Sequence, residues 1–184
     1  MSESRKILIK TIFSGFGGQG VILMGYILAT AGMYEDKNVT CLPSYGAEVR
    51  GGTANCTVVI STEEIASPVA SEPEFAVLMN NPSLFRFQNQ VQSGGTIFLN
   101  TSMIESRPIR GDLEIVEVPA NELAKKLHSD KVANMIMLGA FIKRAGVVGL
   151  ETVHEVVKDT FSNRNPNVLK LNKSALSLGY DYVE

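Results

Sequence analysis

Residues 15–20, GFGGQG, join two apolar runs of different character, and that junction limits what this chain can fold into. Before it, KILIKTIFS is rich in β-branched residues and reads as a strand. After it, VILMGYILATAGM has helical length and good helix formers. A glycine-rich turn that closes a strand and opens a helix is the first corner of an α/β domain.

The rest of the chain continues that alternation. Strand-like runs cover 7–14, 38–42, 54–61, 75–79, 96–99 and 113–118, and helical patterns cover 21–33, 84–91, 131–145 and 150–161. The tail, 163–184, reads as loop, a short helix and an irregular end. The expectation is one Rossmann-like, three-layer α/β domain over residues 1–184, with a mostly parallel sheet. Strands two and three are joined by PSYGAEVRGGT, which has no helical pattern. Parallel neighbours need a crossover, so an antiparallel pair is expected there.

Bulk properties narrow the class. The 184 residues are 45% hydrophobic, enough for a real core. A net charge of −2 gives no reason to expect nucleic acid, and no apolar run is long enough to span a bilayer. MSESRK is polar and lacks the apolar core of a secretory signal, so a cytoplasmic location is expected. Cys41 and Cys56 form no CxxC pair and are expected as buried, reduced thiols.

Gly15, Gly17 and Gly20 match GxGxxG, in the correct strand–turn–helix setting. Gly15 allows the tight turn, Gly17 a close backbone approach, and Gly20 close packing of helix on strand. Free N–H groups at the helix start attract anions. The rest of a dinucleotide fingerprint is missing. The second strand ends in Leu42, Pro43 and Ser44 instead of an acidic residue, Glu35 and Asp36 precede that strand, and Gly18 loosens the turn. Three readings stand: an NAD(P) site, a turn whose glycines serve geometry alone, and a turn facing an anion or a partner.

A second loop, SYGAEVRGGTANC, is expected beside the first, at the carboxyl ends of neighbouring strands where α/β sheets place ligands. It carries Tyr45, Glu48 and Arg50, then Gly51 and Gly52. Arginine offers a planar donor fork for phosphate or carboxylate. The alternative is a solvated Glu48–Arg50 pair of little energetic weight. Asn80-Asn81-Pro82 closes another strand and is a candidate for the same rim. The run ANMIMLGAFI (133–142) is apolar nearly all round, which suits a core or a subunit interface, with Asn134 bonding to a neighbouring loop.

Taken together, GFGGQGV and SYGAEVRGGTANC resemble the gamma subunit of the 2-oxoacid:ferredoxin oxidoreductases, and the resemblance extends to KVANMIMLGAFIKRAG. The wording GAEVRGGTANC is most similar to the 2-oxoglutarate or branched-chain enzymes, with the pyruvate type as a further alternative. The resemblance implies oxidative decarboxylation of a 2-oxoacid with coenzyme A, giving acyl-CoA, carbon dioxide and electrons for ferredoxin or a similar acceptor. It implies thiamine diphosphate and Mg2+ between alpha and beta subunits, iron–sulfur clusters on a ferredoxin-like delta subunit, and a gamma subunit that helps hold coenzyme A. Its candidate binding residues are Gly15, Gly17, Gly18, Gln19, Gly20, Tyr45, Glu48, Arg50, Gly51 and Gly52.

No catalytic residue is expected on this chain, and no metal ligand. There are no cluster cysteines and no nucleophile with a base. His128 and His154 lie in charged helical stretches and read as surface residues. The expected contribution is positioning. Arg50 would hold a coenzyme A phosphate or a partner carboxylate, as would the N–H groups of Gly18 and Gly20. A homodimer is expected when the chain is isolated. The competing readings are a self-standing nucleotide-binding protein and an assembly scaffold whose glycine loops touch only protein.

Overall fold

The computed structural model describes residues 6–44 and 53–184. Its elements are β1 (Leu8–Gly15), α1 (Val21–Tyr34), β2 (Asn38–Ser44), β3 (Ala54–Ser61), β4 (Phe75–Leu78), α2 (Asn81–Phe87), β5 (Thr96–Asn100), β6 (Glu114–Val118), α3 (Ala120–Lys126), α4 (Ala133–Ala145), α5 (Leu150–Thr160) and α6 (Pro166–Tyr182).

The strands form one six-stranded sheet in the order β2-β3-β1-β4-β5-β6. β1, β4, β5 and β6 pair in parallel. β3 alone runs against the rest, antiparallel to both β2 and β1. The mostly parallel sheet is therefore as expected, and so is the antiparallel pairing of β2 with β3. One consequence differs from the sequence reading. β3 is wedged between β1 and β2, so the ends of β1 and β2 are not neighbours.

The three layers are uneven. α1, α3, α4, α5 and α6 contribute to the core on one face of the sheet. Among the described residues, the other face receives α2, which packs Leu84 and Phe87 against Ile12, Leu78 and Ile97. α2 begins at Asn81, earlier than expected, because Asn80 is its N-cap: the Asn80 carboxamide oxygen accepts from Ser83 N–H at 2.9 Å, and Pro82 fits the first turn.

The tail also differs from expectation, since α6 is a continuous 17-residue helix. Asn165 caps it and Pro166 opens it. Its polar composition hid a narrow buried stripe, Asn172, Ala175, Leu176 and Gly179, which lies on α4. That crossing is close. A Cβ on Gly139 would run into the Leu176 carbonyl, and one on Gly179 into the Ile136 carbonyl. Both obstacles are backbone, so neither can rotate away.

α4 is consequently buried along its whole apolar run by this chain alone, which identifies that run as core. Phe141 is its centre. The ring meets Phe13, Phe75 and Phe98 edge-on, each at 5.6 Å between centroids.

The crossing reverses a familiar preference. Gly→Ala in a helix interior usually stabilises by up to about 1 kcal/mol. Gly139→Ala should instead destabilise by roughly 1–3 kcal/mol, the cost of overpacking, as read from chemical denaturation.

Candidate functional site

β1 ends at Gly15, and α1 begins at Val21, so residues 16–20 form the turn at the carboxyl edge of the sheet. The turn demands left-handed backbone at Gly18 (φ 93°) and Gly20 (φ 74°). Gly20 is the N-cap of α1 and, having no side chain, leaves the first N–H groups of the helix without a side-chain cap. Its missing Cβ also leaves room for Asn134, whose carboxamide would otherwise be displaced.

Gln19 has a different place from the one the sequence suggested. Its side chain folds inward: Oε1 accepts from Phe16 N–H at 2.7 Å and from Asn80 Nδ2 at 3.0 Å, and Nε2 approaches the Met79 carbonyl at 3.4 Å. Gln19 therefore stitches the turn to the end of β4, and Asn80 joins the rim through it. The exposed surface of the turn is Phe16, Gly17 and Gly18, and nothing stands within 4 Å of a Cβ placed on Gly18.

The turn separates two unlike hollows. On one side is a shallow groove of about 330 Å³, lined by Phe16, Val21, Ile22 and Ala54. On the other is a polar cleft of about 130 Å³, lined by Gln19, Asn121, Asp130, Lys131 and Asn134. Lys131 is the cation of that cleft, with the Asp130 carboxylate beside it. The cleft borders the β4–β5 ends, where Asn100 accepts from Ala120 N–H (3.2 Å) and donates to Asn121 Oδ1 (2.7 Å).

Tyr45, Glu48, Arg50, Gly51 and Gly52 lie outside the described residues. The two ends of their loop are described, however. Ser44 of β2 and Ser14 of β1 both pair with Asn55 of β3, and Gly15 pairs with Ala54. The loop thus leaves and re-enters the sheet next to the glycine turn. Ser14 Oγ lies 3.2 Å from the Ala54 carbonyl and 3.0 Å from Ser83 Oγ, a buried hydroxyl pair fastening this corner. Arg86, on α2, donates to Thr53 Oγ1 at 3.1 Å and so reaches the loop's root.

Sequence reading missed Arg86, Asn100, Asn121, Asp130 and Lys131. They lie outside the glycine and arginine loops from which the site was read, and only the topology gathers them at one edge. The dinucleotide reading loses ground for a geometric reason. In that fold the acidic residue after the second strand sits next to the turn, whereas here β2 stands a full strand away.

A larger groove, about 540 Å³, lies at the start of β1 around Lys6, Leu8 and Val69, at the far end of that strand from the turn. No group of three or more metal-binding side chains occurs among the described residues. No helix among them is long and apolar enough to cross a membrane.

His128 is exposed at the end of α3, as expected. His154 is less exposed than its charged segment suggests. It is half-buried on α5, with Nε2 3.1 Å from Ser177 Oγ and Nδ1 buried without a partner. Burial, then the Lys173 charge, lowers its pKa.

Comparisons with known proteins agree with this architecture. The family model for pyruvate ferredoxin/flavodoxin oxidoreductase matches residues 10–182. The chain belongs to that family. It is 36% identical over 183 residues to ketoisovalerate oxidoreductase subunit VorA of Methanothermobacter marburgensis, covering 98% of this chain and 37% of that protein. It is 35% identical over 177 residues to 2-oxoglutarate synthase subunit KorC of the same organism, covering 92% of this chain and 94% of that one. The gamma subunit of a keto/oxoacid ferredoxin oxidoreductase from Geobacter sulfurreducens has the same fold, with TM-score 0.81 and 26% identity over 94% of this chain and 96% of that one. Against VorA proteins the chain spans little more than a third of the relative, 37% and 36% of their length.

Two expected outcomes test the site. Gln19→Ala should free the Phe16 amide, speeding its hydrogen exchange, and cost about 1–2 kcal/mol of stability from the unmet bonds. Burial and the Lys173 charge lower the His154 pKa in the folded state, while the unfolded chain binds a proton near the ordinary value of 6.5. Its contribution is complete above that value and falls away below it, as pH drops through the lower folded pKa. His154→Gln should flatten the loss of stability between about pH 7 and pH 5, as measured by denaturation at each pH.

Proposed function

We propose that this chain, as one gamma-type domain over residues 1–184, is the gamma subunit of a 2-oxoacid:ferredoxin oxidoreductase. The observation that carries the proposal is the nearly end-to-end match to KorC, 94% of that protein's length, with the glycine turn set at the carboxyl edge of the sheet. The 2-oxoacid is 2-oxoglutarate, with a branched-chain or pyruvate-type substrate as the alternative. VorA and KorC match at 36% and 35% identity, so similarity alone does not choose.

The complex would contain alpha and beta subunits holding thiamine diphosphate and Mg2+, and a ferredoxin-like delta subunit holding iron–sulfur clusters. It would work in the cytoplasm and pass electrons to ferredoxin or a similar acceptor. The isolated chain would be inactive and would form a homodimer. A structure described as 2-oxoglutarate:ferredoxin oxidoreductase from Magnetococcus marinus, with 2-oxoglutarate, coenzyme A and succinyl-CoA bound, shares the fold (TM-score 0.82, 22% identity, 32% of that longer chain).

The residues present fit part of coenzyme A. The uncapped start of α1 and Lys131 suit an anion. The apolar groove at Phe16, Val21 and Ile22 suits an uncharged arm. Coenzyme A supplies the thiol that receives the acyl group. The part played by this chain is to bind and orient, with Gly18, Gly20, Arg50 and Lys131 on phosphate and Tyr45 to Gly52 closing the rim, while Gly15, Gly17 and Gln19 hold the turn in shape. Asp130 opposes an anion in the polar cleft. Together with the exposed Phe16 ring it favours the second reading, in which the rim touches partner protein alone.

A tagged chain purified gently from its host should carry alpha- and beta-like subunits and reduce dye with 2-oxoglutarate only when coenzyme A is present. Elution alone, with no activity on any 2-oxoacid, would overturn the proposal. In the complex, Arg50→Ala should raise KM for coenzyme A about 10- to 100-fold, the worth of a charge-assisted bond, with subunit recovery unchanged. Reduced recovery at constant KM would identify the scaffold role.

A further inference from the structure

Cys41 and Cys56 occupy adjacent strands on the face covered by α1. Cys41 lies opposite Val58, and Cys56 opposite Pro43, so the two residues are diagonal neighbours. Both are free thiols, and their sulfurs stand 3.4 Å apart. That is a hydrogen-bonded contact, little more than an ångström beyond the ~2.05 Å of a disulfide. No metal explains the pairing. Two sulfurs fall short of the four ligands of a structural zinc site, and no third metal-binding side chain joins them among the described residues.

The two thiols differ in access. Cys56 is wholly buried, roofed by the backbone of α1 at Gly25, where a Cβ would strike its sulfur. Cys41 is half-buried at the edge strand. We infer that Cys41 and Cys56 are a reversible redox site, in which the Cys41 thiolate is oxidised by peroxide and Cys56 resolves the product into an intrachain disulfide.

The chemistry balances. The Cys41 thiolate attacks one peroxide oxygen, the O–O bond breaks, and with one proton a water leaves, giving the sulfenic acid. The Cys56 sulfur then attacks the Cys41 sulfur. The S–O bond breaks, an S–S bond forms, and a second water leaves with the Cys56 proton. Two thiols lose two electrons and hydrogen peroxide gains them; a dithiol reductant reverses the change. The local electrostatics favour these roles. The hydrogen bond from Cys56 lowers the Cys41 pKa against the effect of burial, and the same bond together with burial raises that of Cys56. The bond would close a covalent ring around residues 42–55, which include Tyr45 to Gly52, so the oxidised state would pin the base of the loop at the glycine rim.

The test treats the full chain with limiting hydrogen peroxide, blocks remaining thiols by alkylation, and maps the products by mass spectrometry. The expected result is loss of both thiols in step, a mass lower by two hydrogens, one Cys41–Cys56 cross-linked peptide, and recovery with dithiothreitol. Cys56→Ser should leave a sulfenic acid on Cys41 that dimedone traps, and Cys41→Ser should leave Cys56 unoxidised over the same interval. Oxidation of the unaltered chain that stops at one sulfenic acid, cross-links between chains, or Cys56 reacting as fast without Cys41 would each overturn the inference. The first two readings come from the unaltered chain and do not depend on either variant folding.

Discussion

The antiparallel insertion of β3 between β2 and β1 is the constraint on which the candidate site depends. It places Ala54 against Gly15 and Asn55 against both Ser14 and Ser44. A loop that leaves β2 and returns through β3 is thereby anchored beside a turn that ends β1. In a fully parallel sheet, β3 would enter from the opposite edge, and the loop's two ends would be split between the two edges of the sheet. Ser14, Ser83 and Arg86 then fasten the corner from the second face.

The helices on the first face fix the depth of the turn. α1 is let down onto β3 through Gly25, over Cys56, and onto β2 and β3 through Gly32, against Val39 and Ile60. α4 is held against the sheet by Phe141 and covered by α6 through paired glycines. Asn134, at the start of α4, fills the space that Gly20 leaves open. The polar cleft beside the turn is thus a product of two helix positions, each fixed by close backbone approach. Such contacts tolerate no added atoms, because a packed core has no spare volume. The chemistry assembled there is modest: N–H groups at a helix start, one lysine, one carboxylate and several carboxamides. It suits holding and orienting, which is what the proposed role as one part of a larger oxidoreductase asks of this chain.

Much of this was legible in the residues. The strand–turn–helix corner, the antiparallel pairing, the buried character of α4 and the family resemblance all follow from short local patterns. The glycine turn and Asn80 were found from composition and position. The length of α6 was not, because its buried stripe is narrow and interrupted by polar residues, so burial against α4 decides its helicity. His154 read as a surface residue because its own segment is charged, yet Ser177 and Lys173, which set its surroundings, come from α6.

By itself, the sequence determined which segments are strands and, α6 apart, where the main helices lie, where the chain must turn, and which loops carry glycine and arginine. Those properties are encoded locally, in side-chain shape, hydrophobic period and backbone freedom. Tertiary structure alone decided that Gln19 faces inward, that Lys131 and Asn121 share a cleft with the turn, and that Cys41 and Cys56 meet. Each depends on the order and direction of strands, which brings together residues far apart in the chain through contacts that no local pattern records.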